Sequence, residues 1–253
     1  MQTKLITVFV ALFMGCAARA PSGVNIDQQW EEAKADPETV QLALATRLIA
    51  ENSADTALAL IAKMKRAGST KVELDLLQGL GLMINNKPIE AIRILEKYQS
   101  SQPEDHRSYS ALGLLYAENE RIQEAVIQFT QSVKLEPNDA SVYNNLGFLQ
   151  MSLKQHESAD LSFKKATALD ATQPKYLTNM AYNLVALNQT EEALDVFLSV
   201  TTQANAHTQF GLALELKGAT NLAINHYQTA LQFEPSHQAA EKALNRLTTT
   251  ALE

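Results

Sequence analysis

Apolar residues recur along this chain at helical spacing, in pairs of amphipathic segments separated by short polar turns. One pair occupies residues 106–139, where Tyr109 and Tyr116 lie on one face of a first helix and Phe129 lies on the inner face of a second. Pro137 ends the second helix, because proline cannot continue a helix. The pattern predicts a helical hairpin, and the chain repeats it in both directions.

Small residues fix the register of this repetition. In the second helices an alanine returns every 34 residues and then once after 30, at Ala57, Ala91, Ala125, Ala159, Ala193 and Ala223. The first helices carry small partners at Ala45, Gly79, Gly113, Gly147, Ala181 and Gly211. Paired small residues predict a close helix crossing in every hairpin. This period and order of large and small residues resemble the tetratricopeptide repeat family.

The register predicts six repeats within a single repeat domain, residues 27–253. Their bounds are 38–71, 72–105, 106–139, 140–173, 174–203 and 204–237. The fifth repeat is four residues short, which predicts a truncated second helix or following loop. The pattern also predicts a capping helix over residues 237–249. It predicts a short leading helix over residues 27–35, in which Trp30 covers the first repeat. The resemblance implies an all-α, right-handed solenoid of six hairpins.

The sequence of the N-terminus predicts that the protein is exported from the cytoplasm. Lys4 precedes an apolar run over residues 5–14, which is too short to span a bilayer and typical of a signal peptide. Residues 12–16 read Leu-Phe-Met-Gly-Cys, and Cys16 is the chain's one cysteine. This stretch resembles the bacterial lipobox. Two alternatives stay open, namely ordinary cleavage after Ala20 and a chance cysteine in an uncleaved anchor.

The lipoprotein resemblance implies a signal peptide over residues 1–15, lipidation of Cys16 and a flexible linker over residues 16–26. Several acyl chains anchor a protein far more firmly than one, because each buried methylene contributes about 0.8 kcal/mol. Ala17, rather than aspartate, follows the cysteine. The resemblance therefore implies the periplasmic face of the outer membrane.

Composition and motifs argue against nucleic-acid binding and catalysis. The formal net charge is −7, and Lys and Arg form no cluster that would neutralise a phosphate backbone. The five histidines lack the i, i+4 spacing of helical metal ligands, and neither HExxH nor GxSxG occurs. We therefore expect a protein that is not an enzyme and binds no cofactor or metal.

With nucleic-acid binding and catalysis disfavoured, the function that we expect is the binding of a protein partner on a surface. In tetratricopeptide proteins the first helices line a concave groove, and the resemblance places a set of polar and apolar residues there. The predicted partner-binding residues are Leu114, Asn144, Asn145, Phe148, Met151, Lys175, Asn179, Tyr182, Gln209 and Leu212. Asn145, Asn179 and Gln209 share one register position and could bond an extended peptide backbone. The neighbouring apolar residues predict a partner contact, although both sets could instead serve packing between repeats.

The sequence Asn144-Asn145-Leu146-Gly147-Phe148, followed by Asn179-Met180-Ala181, is similar to the tight-adherence (Tad/Flp) pilus assembly lipoprotein. More loosely, the chain resembles the pilotin lipoproteins of type IV pili. These resemblances imply a secretin or another pilus-assembly component as the partner. The alternatives are a type IVa pilus pilotin, a scaffold that docks peptidoglycan hydrolases, and a regulatory or enzymatic subunit.

Overall fold

The computed structural model describes residues 36–250, with side chains to residue 248. Within that range the secondary structure consists of thirteen α-helices, without a strand. The chain divides into two compact units, Met1–Asp139 and Ala140–Glu253. The signal peptide, Cys16, the linker and the leading helix with Trp30 lie outside the described residues, so those expectations stay predictions. None of the described helices is long and apolar enough to cross a membrane.

The described part of the first unit consists of three helical hairpins. Its helices are α1 (Pro37–Ala50), α2 (Ala54–Arg66), α3 (Glu73–Ile84), α4 (Pro88–Ser101), α5 (His106–Glu118) and α6 (Ile122–Leu135). Each consecutive pair packs together, and α3 also contacts α1 and α5. The first helices therefore stack on one another from hairpin to hairpin.

The second unit contains three further hairpins and a terminal helix. Its helices are α7 (Ala140–Ser152), α8 (His156–Leu169), α9 (Pro174–Ala186), α10 (Thr190–Val200), α11 (Gln203–Leu216), α12 (Thr220–Phe233) and α13 (Gln238–Thr250). Along the first helices, α7 contacts α9, and α9 contacts α11. The expected all-α fold is confirmed.

The small residues lie at the helix crossings, as predicted. A Cβ atom on Gly113 would lie 2.7 Å from ring carbons of Phe129, and one on Gly147 would lie 2.9 Å from ring carbons of Phe163. Both rings are fully buried. A side chain at either glycine would therefore displace the ring that closes its hairpin.

A left-handed residue ends the first helix of every repeat. These residues have φ between 55° and 88° and are Asn52, Asn86, Glu120, Lys154, Asn188 and Gly218. The amide after each bonds back to the carbonyl five residues earlier, as from Gln155 to Gln150 at 2.9 Å. This is the Schellman pattern, which satisfies the last carbonyl groups of a helix and turns the chain sharply. It allows the two helices of each hairpin to be joined by very few residues.

Of the two predicted alternatives for the short fifth repeat, the structure shows the shortened second helix. Helix α10 has 11 residues, whereas α8 and α12 each have 14. Two residues, Thr201 and Thr202, join α10 to α11, and the Thr202 hydroxyl accepts a hydrogen bond from the amide of Asn205. The deletion therefore removes about one turn of helix and leaves a capped start for the sixth repeat.

Helix α13 covers the last hairpin. It begins at Gln238 and ends at Thr250, one residue later at each end than expected. Arg246 donates two hydrogen bonds to the Glu215 carboxylate, at 2.7 and 2.9 Å, and the Tyr227 hydroxyl donates a third at 3.0 Å. The bond from Arg246 is the main cause that lowers the pKa of Glu215, against the opposing effect of burial. A charged, bidentate contact thus attaches α13 to α11.

Candidate functional site

The predicted partner-binding residues lie on the first helices of their repeats, and they are divided between the two units. Leu114 lies on α5 in the first unit and is half-buried. The other nine lie in the second unit on α7, α9 and α11. We call the surface formed by these nine residues the α7–α9–α11 face. It is the part of the predicted site that the structure brings together.

Two of the asparagines connect neighbouring repeats. Nδ2 of Asn179 donates to Oδ1 of Asn144 at 2.9 Å, and both side chains are about 1% exposed. Nδ2 of Asn144 in turn lies 3.5 Å from Oδ1 of Asn145, a long and weak contact. Asn144 and Asn179 therefore hold α7 and α9 together. Asn145, at 9% exposure, lies at the end of this chain of amides.

Gln209 differs from Asn179 although both occupy the same register position. Asn179 finds the Asn144 amide one repeat earlier, whereas the residue that corresponds to Asn144 for Gln209 is Thr178. Oε1 of Gln209 is buried and has no hydrogen-bond partner. A buried acceptor of this kind costs free energy unless something donates to it. Gln209 is therefore the polar group on this face whose hydrogen bonding the repeat stack leaves incomplete.

The two aromatic residues of the predicted strip are largely buried. Phe148 is 2% exposed and Tyr182 is 7% exposed. The Tyr182 ring packs edge-on against Phe197 of α10, with centroids 5.2 Å apart, and burial raises the pKa of its hydroxyl. Met151 and Leu212 on the same face are half-buried. The apolar surface left for a partner therefore comes from these two aliphatic side chains more than from the rings.

Lys175 provides the charge of the face. It is exposed in the first turn of α9, and its Nζ lies 5.3 Å from the ring centroid of Tyr176. A cation over an aromatic face is held weakly when it is exposed to solvent. Lys175 thus keeps a positive charge at one end of α9, where an acidic side chain of a partner could pair with it.

Sequence reasoning missed two histidine contacts that join pairs of helices in the second unit. His156 Nδ1 lies 3.0 Å from Oδ1 of Asn183, whose Nδ2 donates to the His156 carbonyl at 2.9 Å. His207 and His226 meet through their Nδ1 atoms at 3.0 Å. A search at i, i+4 spacing finds pairs on one helix, whereas these pairs join two helices. Overlaying the repeats and comparing facing register positions is the signal that could have found them.

The described residues contain no group of three or more His, Cys, Asp and Glu side chains that could hold a metal ion. Apart from Lys175 and the Tyr182 hydroxyl, the polar groups that were predicted on the α7–α9–α11 face are amides, which donate and accept hydrogen bonds but do not titrate near neutral pH. Chemically, this face is suited to recognition of a backbone or a polar side chain.

Comparison with known proteins agrees with the architecture. Residues 106–139 and 140–173 match the tetratricopeptide repeat family model. The protein has the all-α tetratricopeptide-repeat fold. No curated protein has a sequence significantly similar to this chain.

Several solved structures share the fold at low sequence identity. YrrB, described as a tetratricopeptide protein with an unusual peptide-binding site, is 20% identical with a TM-score of 0.61, over 72% of this chain and 96% of YrrB. PilF of Pseudomonas aeruginosa is 16% identical with a TM-score of 0.62, over 87% of this chain and 98% of PilF. MamA of Desulfovibrio magneticus RS-1 is 18% identical with a TM-score of 0.56, over 67% and 98%. At this identity the likeness concerns the fold.

Proposed function

We propose that this protein is a non-enzymatic scaffold that binds an extended segment of a protein partner on its α7–α9–α11 face. The observation that carries the proposal is the buried, unpartnered Oε1 of Gln209. The Gln209 side chain as a whole is half-buried, so a change of its rotamer would bring Oε1 to an N–H group of a bound backbone, which would supply the donor that this atom lacks. YrrB, with a similar fold, is described as having a peptide-binding site, which supports the same use here.

The other groups on the face suit the same ligand. Asn145 lies at the end of the amide chain, where its Nδ2 can donate to a carbonyl oxygen of the ligand. Met151 and Leu212 offer half-buried apolar surface, and Lys175 offers a positive charge. Backbone bonds would give affinity, while the apolar and charged contacts would select the side chains of the segment.

We further propose that the protein is a lipoprotein anchored at Cys16 to the periplasmic face of the outer membrane. There it would assist the assembly or targeting of a pilus secretin of the tight-adherence type. The lipobox-like sequence before Cys16 and the fold shared with PilF support this placement. A type IVa pilus pilotin and a scaffold for peptidoglycan hydrolases are the alternatives, and the identity of the captured partner separates them.

The binding face is tested by paired substitutions. The double variant Asn145→Ala, Gln209→Leu removes both ligand-facing amides and keeps Asn144 and Asn179, which join the repeats. Two lost hydrogen bonds at roughly 1 kcal/mol each should weaken capture about 30-fold. The measurement is recovery of the secretin from crosslinked envelopes, with helicity checked by circular dichroism.

A matched control places the same change elsewhere on the second unit. Gln228→Leu alters an exposed glutamine on α12 and should leave capture unchanged. Equal secretin recovery by the double variant and the wild type would refute the α7–α9–α11 face as the binding site. Recovery of cell-wall hydrolases alone by the wild type would refute the pilus assignment and leave the face intact.

The anchor is tested separately. Cys16→Ser should abolish incorporation of labelled palmitate and release the protein from outer-membrane fractions, because the thioether to the lipid cannot form. Leu12→Ile, which keeps the apolar character of the same stretch, serves as the control and should label normally. Palmitate labelling of the Cys16→Ser variant would contradict the lipoprotein assignment.

A further inference from the structure

Two histidines face each other across the hairpin of the sixth repeat. His207 lies on α11 and His226 on α12, and their Nδ1 atoms are 3.0 Å apart. The ring planes are inclined by 16° and the centroids lie 5.2 Å apart. The centroid distance exceeds the Nδ1 distance by nearly the sum of two ring radii, so the rings meet edge to edge. Each Nδ1 therefore points at the other.

Aromatic rings surround the pair. The ring of His207 is parallel to that of Phe233 within 7°, with centroids 5.6 Å apart. The ring of His226 stands edge-on to Phe210, with centroids 4.7 Å apart. Phe210 is buried, so the pair lies at the margin of the hydrophobic core. Burial lowers the pKa of His207 and of His226, and the charge of His207 lowers that of His226 further.

Proton counting gives the pair three states. With both rings neutral, one Nδ1–H donates to the lone pair of the other Nδ1. One added proton is accommodated on an outer Nε2, which leaves a charge-assisted bond between the rings. The aromatic face of Phe233 also stabilises a cation on His207. A second added proton leaves two Nδ1–H groups that point at each other, and the contact can no longer form.

We propose that the contact between His207 and His226 is an acid-sensitive joint between α11 and α12, which holds one added proton and separates on the second. Helix α11 carries Gln209 and Leu212, so separation would disturb one end of the α7–α9–α11 face. Release of a partner in acid would follow, and that consequence alone rests on the proposed function. The joint itself is a property of the unbound protein.

Other ionisable groups occur on the two helices, on the helices packed against them and just before α13. They are Lys175, Tyr176, Tyr182, Glu191, Glu192, Asp195, Glu215, Tyr227, His237, Glu241, Lys242 and Arg246. Of the described groups, none beyond the two histidines is a cause of their lowered pKa values. Glu215 is already held by Arg246 and Tyr227. The acid response of the joint therefore belongs to the histidines themselves.

The test compares the full chain, without a histidine tag, with His226→Gln between pH 7.5 and pH 5.5. Glutamine can still donate to Nδ1 of His207 but cannot acquire a charge. A group whose folded pKa is lowered stabilises the fold above its unfolded pKa and loses that contribution as the pH falls through the folded value. Over this range the melting temperature of the wild type should therefore fall further than that of His226→Gln, by about 3 °C.

Two further measurements make the result specific. Asn225→Ala, at an exposed and uncharged position of α12, is the control and should respond to pH as the wild type does. Ring nitrogen resonances of the wild type should show His207 and His226 titrating together in two steps, and His207 in His226→Gln should titrate in a single step. Parallel melting curves against pH, or independent single-step titrations in the wild type, would overturn the proposal. Should His226→Gln fail to fold, His207→Gln and the wild-type titration decide the question.

Discussion

Gly147 offers a direct test of the repeat register. It lies on α7 where α8 crosses, and we expect Gly147→Leu to destabilise the second unit strongly. A Cβ at this position would lie 2.9 Å from two ring carbons of Phe163 and 3.2 Å from the backbone carbonyl oxygen of Ala159. The Phe163 ring is fully buried and has no solvent to move into. Even the first carbon of the new side chain therefore requires the Phe163 ring and the backbone of α8 to shift slightly.

The fifth repeat shows how large the effect should be. There Ala181 occupies the same register position opposite Phe197, so a hairpin of this kind can accommodate one methyl group. For Gly147→Ala, overpacking of about 1 kcal/mol is offset by a gain of about 1 kcal/mol in helix propensity, and the net change should be small. Leucine adds three more carbons at the same contact, and its cost should reach about 3 kcal/mol.

Thermal unfolding followed by circular dichroism measures this difference. For a chain of this size a loss of about 3 kcal/mol lowers the melting temperature by roughly 6 to 12 °C. Because each repeat is stabilised mainly by its neighbours, the loss should also appear as faster amide exchange in α9. Gly147→Ala should melt within about 3 °C of the wild type.

Ser158→Leu is the matched control, because it adds leucine to an exposed position on α8 of the same hairpin. Its free energy of unfolding should change by less than about 0.5 kcal/mol. If Gly147→Leu melted like this control, the assignment of the close crossing to Gly147 would be wrong. The reasoning on volume would fail as well if alanine and leucine at this position had equal effects.

Two further predictions concern turns and the terminal helix. Lys154 has φ 61°, a conformation that costs an L-residue about 1 kcal/mol. Lys154→Gly should therefore raise the free energy of unfolding by roughly 0.5 kcal/mol. Gly218→Ala, at the equivalent turn of the sixth repeat, should lower it. Glu215→Gln should cost about 1 kcal/mol at pH 7, because Arg246 loses its charged partner. The pKa of Glu215 is lowered in the fold, so this contribution is present above about pH 4.5 and is lost as the pH falls further. In urea unfolding, the free energies of the wild type and of Glu215→Gln should differ at pH 7 and become equal at pH 3. An equal difference at both pH values would contradict the ion-pair assignment.

The register was predictable because it depends on side-chain volume alone. Gly113 and Gly147 mark crossings whose geometry a single sequence reveals through its 34-residue period. The shortening of the fifth repeat was predictable for the same reason, since a missing turn changes the interval between small residues, whereas the structure was needed to locate it in α10 rather than in the following loop. Both features depend on local spacing, which a sequence records directly.

The left-handed turns were not predictable in the same way. Glu120 and Lys154 adopt positive φ although neither residue type favours it. The adjoining hairpin imposes the conformation, because the two helices must be joined within a few residues. Asn52 and Asn188 at the equivalent turns suit the conformation, but without the repeat register they resemble any other loop asparagine.

The predicted amide ladder shows why a site is harder to derive than a fold. Asn145, Asn179 and Gln209 share one register position, and the sequence gives no reason to separate them. What separates them is the residue that each meets in the preceding repeat. Asn179 meets Asn144 and closes a hydrogen bond inside the stack, while Gln209 is preceded by Thr178 and keeps an unpartnered acceptor.

Under the proposed function, the binding position lies where the hydrogen bonding between repeats is incomplete. If Thr178 were replaced by asparagine, its Nδ2 could donate to Oε1 of Gln209, in the direction opposite to the bond that Nδ2 of Asn179 donates to Oδ1 of Asn144. Thr178→Asn should then stabilise the second unit by about 1 kcal/mol and weaken partner capture, because the acceptor would already be satisfied. Thr178→Ser supplies no amide and should do neither. Greater stability with undiminished capture would show that Gln209 only packs between repeats, and the proposed binding face would lose the observation that carries it.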